Sequence, residues 1–152
     1  MTQPSTPPQG DYRAALARIV QAFETITPES VAALGDIYTP HAHFKDPFND
    51  VRGHAAIQRV FAHMFEQLDR PRFAVSQGAV QGDSGFLLWE LGFVRASGQP
   101  MHICGTSYLE FDAQGLVAVH RDFWDPVEEV FAKVPVLGAV ARALQNKLRA
   151  PQ

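Results

Sequence analysis

The sequence is poor in the features that mark several large classes of protein. It has one cysteine in 152 residues, Cys104, which excludes an internal disulfide framework and fits a reducing compartment, with the cytoplasm as the expected location. No apolar run approaches the ~20 residues that a membrane-spanning helix needs. With 13 basic and 16 acidic residues the net charge is -3 and there is no basic stripe, so nucleic acid is not an expected partner.

Motifs for cofactor chemistry are also missing. The chain contains neither a phosphate-binding loop nor a nucleophile elbow. His41 and His43 share one face of a strand, but on a regular strand that face lies opposite Asp46, and no fourth metal ligand suggests itself. We therefore expect no bound metal and no other cofactor.

Composition divides the chain into three parts. Residues 1–10 are rich in Pro, Gln, Ser and Thr and lack an apolar segment, which predicts a disordered leader rather than a signal peptide. Residues 11–125 show regular apolar periodicity and are expected to form one domain. Residues 126–152 return to helical spacing and predict a helical tail.

Three helices are predicted in the first half of the domain. Apolar residues at helical spacing predict one helix from about residue 11 to residue 25. A second begins at Thr27-Pro28-Glu29, the order of an N-cap, a first-turn proline and a first-turn acid, and ends at Pro40. A third follows Gly53, and its apolar stripe includes Phe61, Met64, Phe65 and Leu68.

Strands dominate the second half. A short strand is expected before Asp46, and from Arg72 the apolar period changes to two. Further strands are predicted at 72–81, 86–96, 101–111 and 116–124, with turn-forming residues between them. Three helices followed by an antiparallel meander predict an α+β domain in which the helices cover one face of the sheet.

The first candidate for chemistry is Asp46, which lies between Phe44 and Phe48 and directly before Pro47. A carboxylate that is poorly hydrated binds protons more readily, and this property suits a general base. The alternative interpretation is that Asp46-Pro47 simply forms a turn.

The order of these elements and several motifs resemble the nuclear-transport-factor-2-like superfamily, and within it ketosteroid isomerase and the SnoaL-like polyketide cyclases. The resemblance rests on Tyr38, Asp46-Pro47-Phe48, Arg52-Gly53 with Ile57 and Phe61, and Leu109-Glu110-Phe111-Asp112 through Gly115 to Phe123-Trp124. It implies a cone-shaped, curved antiparallel sheet packed against three N-terminal helices. The tail would add an extra C-terminal helix. The resemblance carries little information about the reaction, because the same fold hosts enzymes, binding modules and assembly domains.

The resemblance also implies roles for individual residues. Asp46 stands where ketosteroid isomerase has the Asp that shuttles a proton between substrate carbons. Ile19 and Phe23 stand where that enzyme has an oxyanion-binding Tyr, and Ser107 stands where it has a protonated Asp. Because one such donor can be worth about 10²–10³ in rate, true steroid isomerase activity is not expected.

The last strand contributes a second set of candidates. His120 and Asp122 share a face with Trp124, and the resemblance directs that face to the pocket. An imidazole beside a carboxylate can act as an acid–base pair. The alternatives are a buried hydrogen-bonded pair that orders the sheet, or an Asp that pairs with Arg121 of a neighbouring chain. The residues expected to line the pocket and bind substrate are Tyr38, Phe44, Phe61, Glu90, Ser107 and Trp124, although Glu90 also fits a solvated position at a strand edge.

Two functions remain open. The first is a small hydrophobic-pocket enzyme that catalyses cofactor-independent proton transfer on an apolar carbonyl compound, with an isomerase, cyclase or hydratase outcome. Asp46 would be its base, and Asp122 with His120 its acid or second base. The second is a non-catalytic dimeric domain that binds a small ligand or a protein.

The expected partners are a small apolar molecule and a second copy of the chain. The sheet face opposite the pocket would form a homodimer through Val117, Val119, Phe123, Trp89, Leu91 and Phe93. Cys104 is expected to be a buried small hydrophobe on that same face, beside His102. An apolar stripe that includes Leu137, Val140 and Leu144 predicts that the tail folds over the domain or the dimer partner. Its charged face is sparse, which argues against a membrane surface.

Overall fold

The computed structural model describes residues 12–95, 97–126 and 135–148. Its helices are α1 (Tyr12–Glu24), a 3-10 helix (Pro28–Asp36), α2 (His54–Gln67) and α3 (Pro135–Leu148). Its strands are β1 (Tyr38–Lys45), β2 (Asp50–Arg52), β3 (Asp69–Gln81), β4 (Ser84–Val94), β5 (Pro100–Phe111) and β6 (Val117–Phe123). The predicted disordered leader, residues 1–10, lies outside the described residues. Of the described helices, none has both the length and the apolar character needed to cross a membrane.

The six strands form one curved, unclosed sheet in the order β2-β1-β6-β5-β4-β3. Neighbouring strands are antiparallel, as predicted, except for β1 and β6, which run parallel. In that pair Tyr38 lies opposite Val117 and Phe44 lies opposite His120. The first strand is therefore brought beside the last one, and the α+β prediction is confirmed.

The predicted start of the second helix is confirmed, but its end is not. Thr27 caps the helix: its hydroxyl accepts from the Ser30 N–H at 3.2 Å, and the Ser30 hydroxyl accepts from the Thr27 N–H at 2.9 Å. The helix is of the 3-10 type and stops at Asp36, whereas Pro40 lies inside β1. Pairing between β1 and β6 begins at Tyr38. The residues from Tyr38 to Pro40, which local signals assigned to the second helix, therefore belong to a strand.

The core fills the space between the helices and the concave face of the sheet. Ile19 and Phe23 of α1 and Ile57 and Phe61 of α2 are buried there with Phe44 of β1. The Phe61 ring lies 5.2 Å from that of Phe23 and 5.5 Å from that of Phe44. Each such side chain contributes about 1.5–3 kcal/mol through burial. The predicted packing of Phe61 in the core is confirmed.

The two faces of the sheet differ from the prediction at β4. Trp89 and Leu91 are buried on the inner face, while Phe86 and Leu88 are exposed on the outer face. The assignment of Trp89 and Leu91 to the outer face was wrong because it read the alternation of this strand in the opposite sense.

A β-bulge explains a second difference. The register shifts between Glu110 and Phe111, so that Val117 pairs with Phe111 and Val119 with Glu110. The extra residue changes which side chains face inward, and Val117 is buried instead of lying on the outer face. Phe123 alone of the predicted β6 set is strongly exposed.

Cys104 lies on the outer face of β5 with His102, as the alternation predicted, but it is exposed. The outer face carries no covering layer of described helices at this point, so the expectation of a buried cysteine was wrong. In the tail, Val140 and Leu144 of α3 are exposed. The predicted folding of the tail over the domain or a partner stays a prediction.

We predict that Gly105→Ala destabilises the fold. A Cβ at Gly105 would lie 2.4 Å from the ring atoms Cη2 and Cζ2 of Trp89. That ring is held in place by an indole N–H that donates to the Ser107 hydroxyl at 2.8 Å. We expect a loss of about 1–3 kcal/mol in the free energy of unfolding, measured by urea titration.

Gly92→Ala is the matched control on the neighbouring strand, since the nearest atoms to its Cβ would be 3.6 Å away. Its free energy of unfolding should change by no more than about 0.5 kcal/mol. Equal effects of the two substitutions would contradict the prediction.

Candidate functional site

A cavity of about 420 Å³ opens between α2 and the concave face of the sheet. Most of its wall is apolar and comes from Phe44, Phe61, Met64, Phe73, Leu91 and Ile103. A few polar side chains interrupt that wall, among them Asp46, Asn49, Arg95 and Asp122. A mainly apolar cavity of this size with a few polar groups is typical of a site for a small organic molecule.

A chain of hydrogen-bonded polar side chains lies beneath the inner end of the cavity. The Tyr38 hydroxyl is 2.6 Å from Nδ1 of His120, and Nε2 of His120 is 2.8 Å from Oδ1 of Asp122. The Ser107 hydroxyl donates to the same Oδ1 at 2.5 Å and accepts from the Trp89 indole N–H. These five side chains, called here the buried polar chain, join four strands of the sheet.

The strand registers explain why these residues meet. His120 and Asp122 are two apart on β6 and share its inner face. Ser107 of β5 lies directly opposite Asp122. Tyr38 reaches His120 because β1 runs parallel to β6 on its other side.

The hydrogen bonds define the protonation of the His120 ring. An ionised carboxylate only accepts, so Nε2 carries the hydrogen that points to Asp122. Nδ1 is then the acceptor of the Tyr38 O–H. This tautomer follows from the network. The ring is 3% exposed and lies against the rings of Phe23 and Phe44, at 5.7 and 5.0 Å.

Asp122 is the member of this chain that lines the cavity, with its side chain 14% exposed. His120 and Ser107 both bind its Oδ1. Among the described residues, Oδ2 has no hydrogen-bond partner. Within the described residues, one oxygen therefore accepts two hydrogen bonds and the other accepts none.

Asp46 also lines the cavity, but its carboxylate is engaged by the loop that follows β1. Oδ1 accepts from the main-chain N–H groups of Phe48 and Asn49, at 2.7 and 2.6 Å. The Asn49 side-chain amide donates to Oδ1 and Oδ2, at 3.1 and 2.9 Å. Asp46 is half-buried, and Phe48 is 61% exposed, so the two flanking aromatics do not enclose it. The interpretation of Asp46-Pro47 as a turn therefore accounts for the hydrogen bonds of the Asp46 carboxylate, although Asp46 also lines the cavity.

The remaining residues expected in the pocket divide into three groups. Phe44, Phe61 and Trp124 line the cavity. Tyr38 and Ser107 are buried behind it in the polar chain. Glu90 lies on the outer face, where its Oε1 is 2.9 Å from Nδ1 of His102, because it alternates with the inward-facing Trp89.

Sequence reasoning missed three residues of this site. Trp89 anchors Ser107, and Asn49 and Arg95 line the cavity. The alternation of β4, read with Leu87 and Leu91 inward, would have indicated Trp89. Asn49 and Arg95 lie outside the strands, where alternation carries no information.

Metal ligation finds no support in the described ranges, where no three His, Cys, Asp or Glu side chains come together to hold an ion. Instead, Nε2 of His43 lies 2.6 Å from Oδ1 of Asp50, and Lys45 binds Oδ2 of that carboxylate at 2.8 Å. These bonds lower the pKa of Asp50 to about 2.

Comparisons with known proteins agree with the fold. Residues 16–120 match the family model of the SnoaL-like domain. No curated protein matches the chain. Among solved structures, the chain is similar to a proposed SnoaL-like polyketide cyclase from Jannaschia sp. CCS1, with 18% identity, a TM-score of 0.68 and coverage of 84% of this chain and 94% of that one.

Two further structures have the same fold. One is a hypothetical protein with a ketosteroid isomerase-like fold from Catenulispora acidiphila DSM 44928 in complex with trimethylamine, with 14% identity, a TM-score of 0.68 and coverage of 86% and 95%. The other is TerC co-crystallised with polyporic acid, with 17% identity, a TM-score of 0.66 and coverage of 78% and 95%. At these identities the likeness shows the fold.

We predict that Tyr38, one of three tyrosines of the chain, resists ionisation in the folded protein. Burial, and next the charge of Asp122, raise the pKa of Tyr38 well above its ordinary 10.0. In an absorbance titration at 295 nm under native conditions, one tyrosine should therefore stay protonated above pH 10 until the protein unfolds.

The same shift makes stability depend on pH. Tyr38 ionises more readily in the unfolded chain than in the folded one. Its contribution to the free energy of unfolding is therefore complete below pH 10 and is lost as the pH rises further. Tyr38→Phe should remove this component of the alkaline loss of stability. Simultaneous ionisation of all three tyrosines in the folded protein would contradict the prediction.

Proposed function

We propose that this chain, which belongs to the SnoaL-like domain family, is an enzyme that transfers a proton on an apolar carbonyl compound without a cofactor. The SnoaL-like and nuclear-transport-factor-2-like relatives include polyketide cyclases and isomerases. Reactions of both kinds pass through removal of a proton next to a carbonyl group. The proposal is therefore stated at the level of that shared step.

The observation that carries the proposal is the position of Asp122. Its carboxylate lines an apolar cavity on one side and accepts hydrogen bonds from His120 and Ser107 on the other. Charge-assisted hydrogen bonds of this kind stabilise a carboxylate that is largely removed from water. They also hold it in one orientation, which a proton acceptor requires.

The proposed step uses the oxygen of Asp122 that is left toward the cavity. Oδ2 takes a proton from the carbon next to the carbonyl, so that the C–H bond breaks, an O–H bond forms on Asp122, and the electron pair moves to the carbonyl oxygen as an enolate. The hydrogen bonds to Oδ1 persist when Asp122 is neutral, because Oδ1 remains an acceptor. Asp122 can then return the proton to another carbon or oxygen of the substrate.

The enolate oxygen needs a hydrogen-bond donor. Ser107 and His120 are both engaged by Asp122. Trp124 supports this role better: it lines the cavity, lies two residues after Asp122, and packs edge-to-face on Phe48 with ring centroids 5.3 Å apart. Among the described residues, its indole N–H has no hydrogen-bond partner.

Asp46 is retained as a second carboxylate of the site. The main-chain N–H groups of Phe48 and Asn49 donate to the Asp46 carboxylate and hold it in its turn. Because Asp46 is engaged in this way, Asp122 is the better candidate for the first proton acceptor. Asp46 directly follows β1 as Asp122 follows Arg121 on the parallel neighbour β6, so both carboxylates line the same part of the cavity wall. It is the natural candidate to deliver or accept a proton at a second position.

The alternative function is a domain that binds a small ligand without turning it over. The engagement of Ser107 and His120 by Asp122 favours it, because both lose the freedom to donate to a substrate. The same cavity would serve either function. Binding of an apolar ketone without any exchange of its protons would support this alternative.

We also propose a homodimer, formed by the outer face of the sheet. Phe86 and Leu88 of β4 and Phe123 of β6 are exposed on the two strands that flank β5, and Leu88 and Phe123 both lie opposite Thr106. Arg121 and Glu90 flank them with charges of opposite sign. An apolar centre with both charges at its rim is complementary to a second copy of itself.

The catalytic proposal is tested by exchange of protons for deuterium. Apolar ketones such as 1-tetralone are incubated in D₂O with the protein, and loss of the α-proton signal is followed by NMR. We expect the wild type to accelerate the exchange and Asp122→Asn to lower this rate by about 10²–10⁴, the usual contribution of a general base.

Three further variants define the roles. Trp124→Phe should lower the exchange rate by removing the donor, and Asp46→Asn should have the smaller effect of the two aspartate changes. Asp83→Asn, an exposed acid outside the cavity, should leave the rate unchanged. Full exchange activity of a folded Asp122→Asn variant would refute the assignment.

The dimer is tested by analytical ultracentrifugation. We expect a dimer at micromolar concentration, and Leu88→Glu should convert it to a monomer by placing a charge in the apolar centre. Ala55→Glu on the exposed side of α2 is the control and should remain dimeric. A monomeric wild type would exclude the proposed interface.

A further inference from the structure

Arg95 is the one arginine or lysine among the described residues that line the cavity. Its side chain is half-buried at the end of β4. The nearby wall is apolar and includes Phe93, Met101 and Ile103. A guanidinium keeps its charge at any physiological pH, so this part of the cavity is permanently positive.

The Arg95 side chain has no partner in the part of the chain that the structure describes. Its main chain is fixed by the turn between β4 and β5: the Arg95 N–H donates to the Gln99 carbonyl at 2.9 Å, and the Gly98 N–H donates to the Arg95 carbonyl at 2.8 Å. Neither a hydrogen bond nor an ion pair within the described residues engages the guanidinium. A half-buried cation without a counter-ion is costly, and an anion in the cavity would offset that cost.

The register of the sheet separates Arg95 from Asp122 along the strands. Asp122 lies opposite Ser107, which in turn lies opposite Leu87 near the start of β4. Arg95 follows the other end of that strand. Along β4, Arg95 therefore lies eight positions beyond Leu87, and Leu91 with its partner Ile103 on β5 lies between the positive and the negative parts of the cavity.

This separation of charge would orient a ligand. Asp46 and Asp122 repel an anionic group from their part of the wall, while Arg95 attracts it to the other part. A molecule with an acidic group at one end would enter with that group at Arg95. Its apolar body would then lie along the wall, and its far end would reach Asp122.

We propose that the cavity is built for an elongated apolar compound that carries a carboxylate or an acidic enol, and that Arg95 binds this anionic group. The inference deepens the proposed function by naming the class of substrate. It concerns binding alone, so it can fail or succeed independently of whether Asp122 moves a proton.

Two probes of the same shape test the proposal. Biphenyl-4-carboxylate is anionic at pH 7, and biphenyl-4-carboxamide is its neutral counterpart. Isothermal titration of the wild type should show that the carboxylate binds about ten- to a hundredfold more tightly, the range expected for a charge-assisted hydrogen bond. The preference should shrink in 0.5 M NaCl, because Arg95 is only half-buried.

Variants connect the preference to this residue. Arg95→Gln should abolish the preference for the carboxylate and leave the affinity for the amide within about threefold. Arg95→Lys should keep part of the preference, since it retains the charge without the planar fork. Arg59→Gln, which removes an exposed arginine of α2 outside the cavity, should behave like the wild type.

Three outcomes would overturn the proposal. They are equal affinity of the wild type for the two probes, absence of binding of both at millimolar concentration, and a preference that survives in Arg95→Gln. If Arg95→Gln does not fold, the affinities of the wild type and of Arg95→Lys for the two probes still test the proposal. The deuterium exchange assay of Asp122→Asn reports separately on the catalytic proposal.

Discussion

The parallel pairing of β1 with β6 is the constraint on which the candidate site depends. It joins the first strand of the chain to the last, and it places Tyr38 beside His120 and the loop with Asp46 beside the end of β6. The other strands follow one another as simple hairpins. Among the strand pairings, this non-local one brings β1 and the loop that follows it to the part of the cavity wall that Asp122 lines.

The buried polar chain shows how an apolar core can hold ionisable groups. Tyr38, His120 and Ser107 are each almost inaccessible to water, and each has a hydrogen-bond partner within the chain. Within the described residues, no buried side-chain nitrogen or oxygen lacks a partner. A buried polar network is compatible with a stable fold when every member has a hydrogen-bond partner, because a buried member without one would cost about 1–3 kcal/mol. It also holds Oδ1 of Asp122, a residue that lines the cavity.

Asp46 and Asp122 are two carboxylates of one cavity that are held in different ways. Asp46 is held by the main chain of its own turn, whereas Asp122 is held by side chains from neighbouring strands. The resemblance to ketosteroid isomerase directed attention to Asp46 first. The hydrogen bonds favour Asp122, and Arg95 at the other end of the cavity adds a charge that the resemblance did not contain.

The sequence by itself determined α1, α2, the start of the second helix and most of the strands, because periodicity and capping are local properties, whereas the inward direction of His120 and Asp122 came from the family resemblance. It could not determine the 3-10 helix that stops at Asp36, since pairing with β6 decides that end. It also could not reveal the bulge that buries Val117 or the turn that brings Arg95 to the cavity wall. These features depend on which strand lies beside which, and that is decided by contacts between residues far apart in the chain.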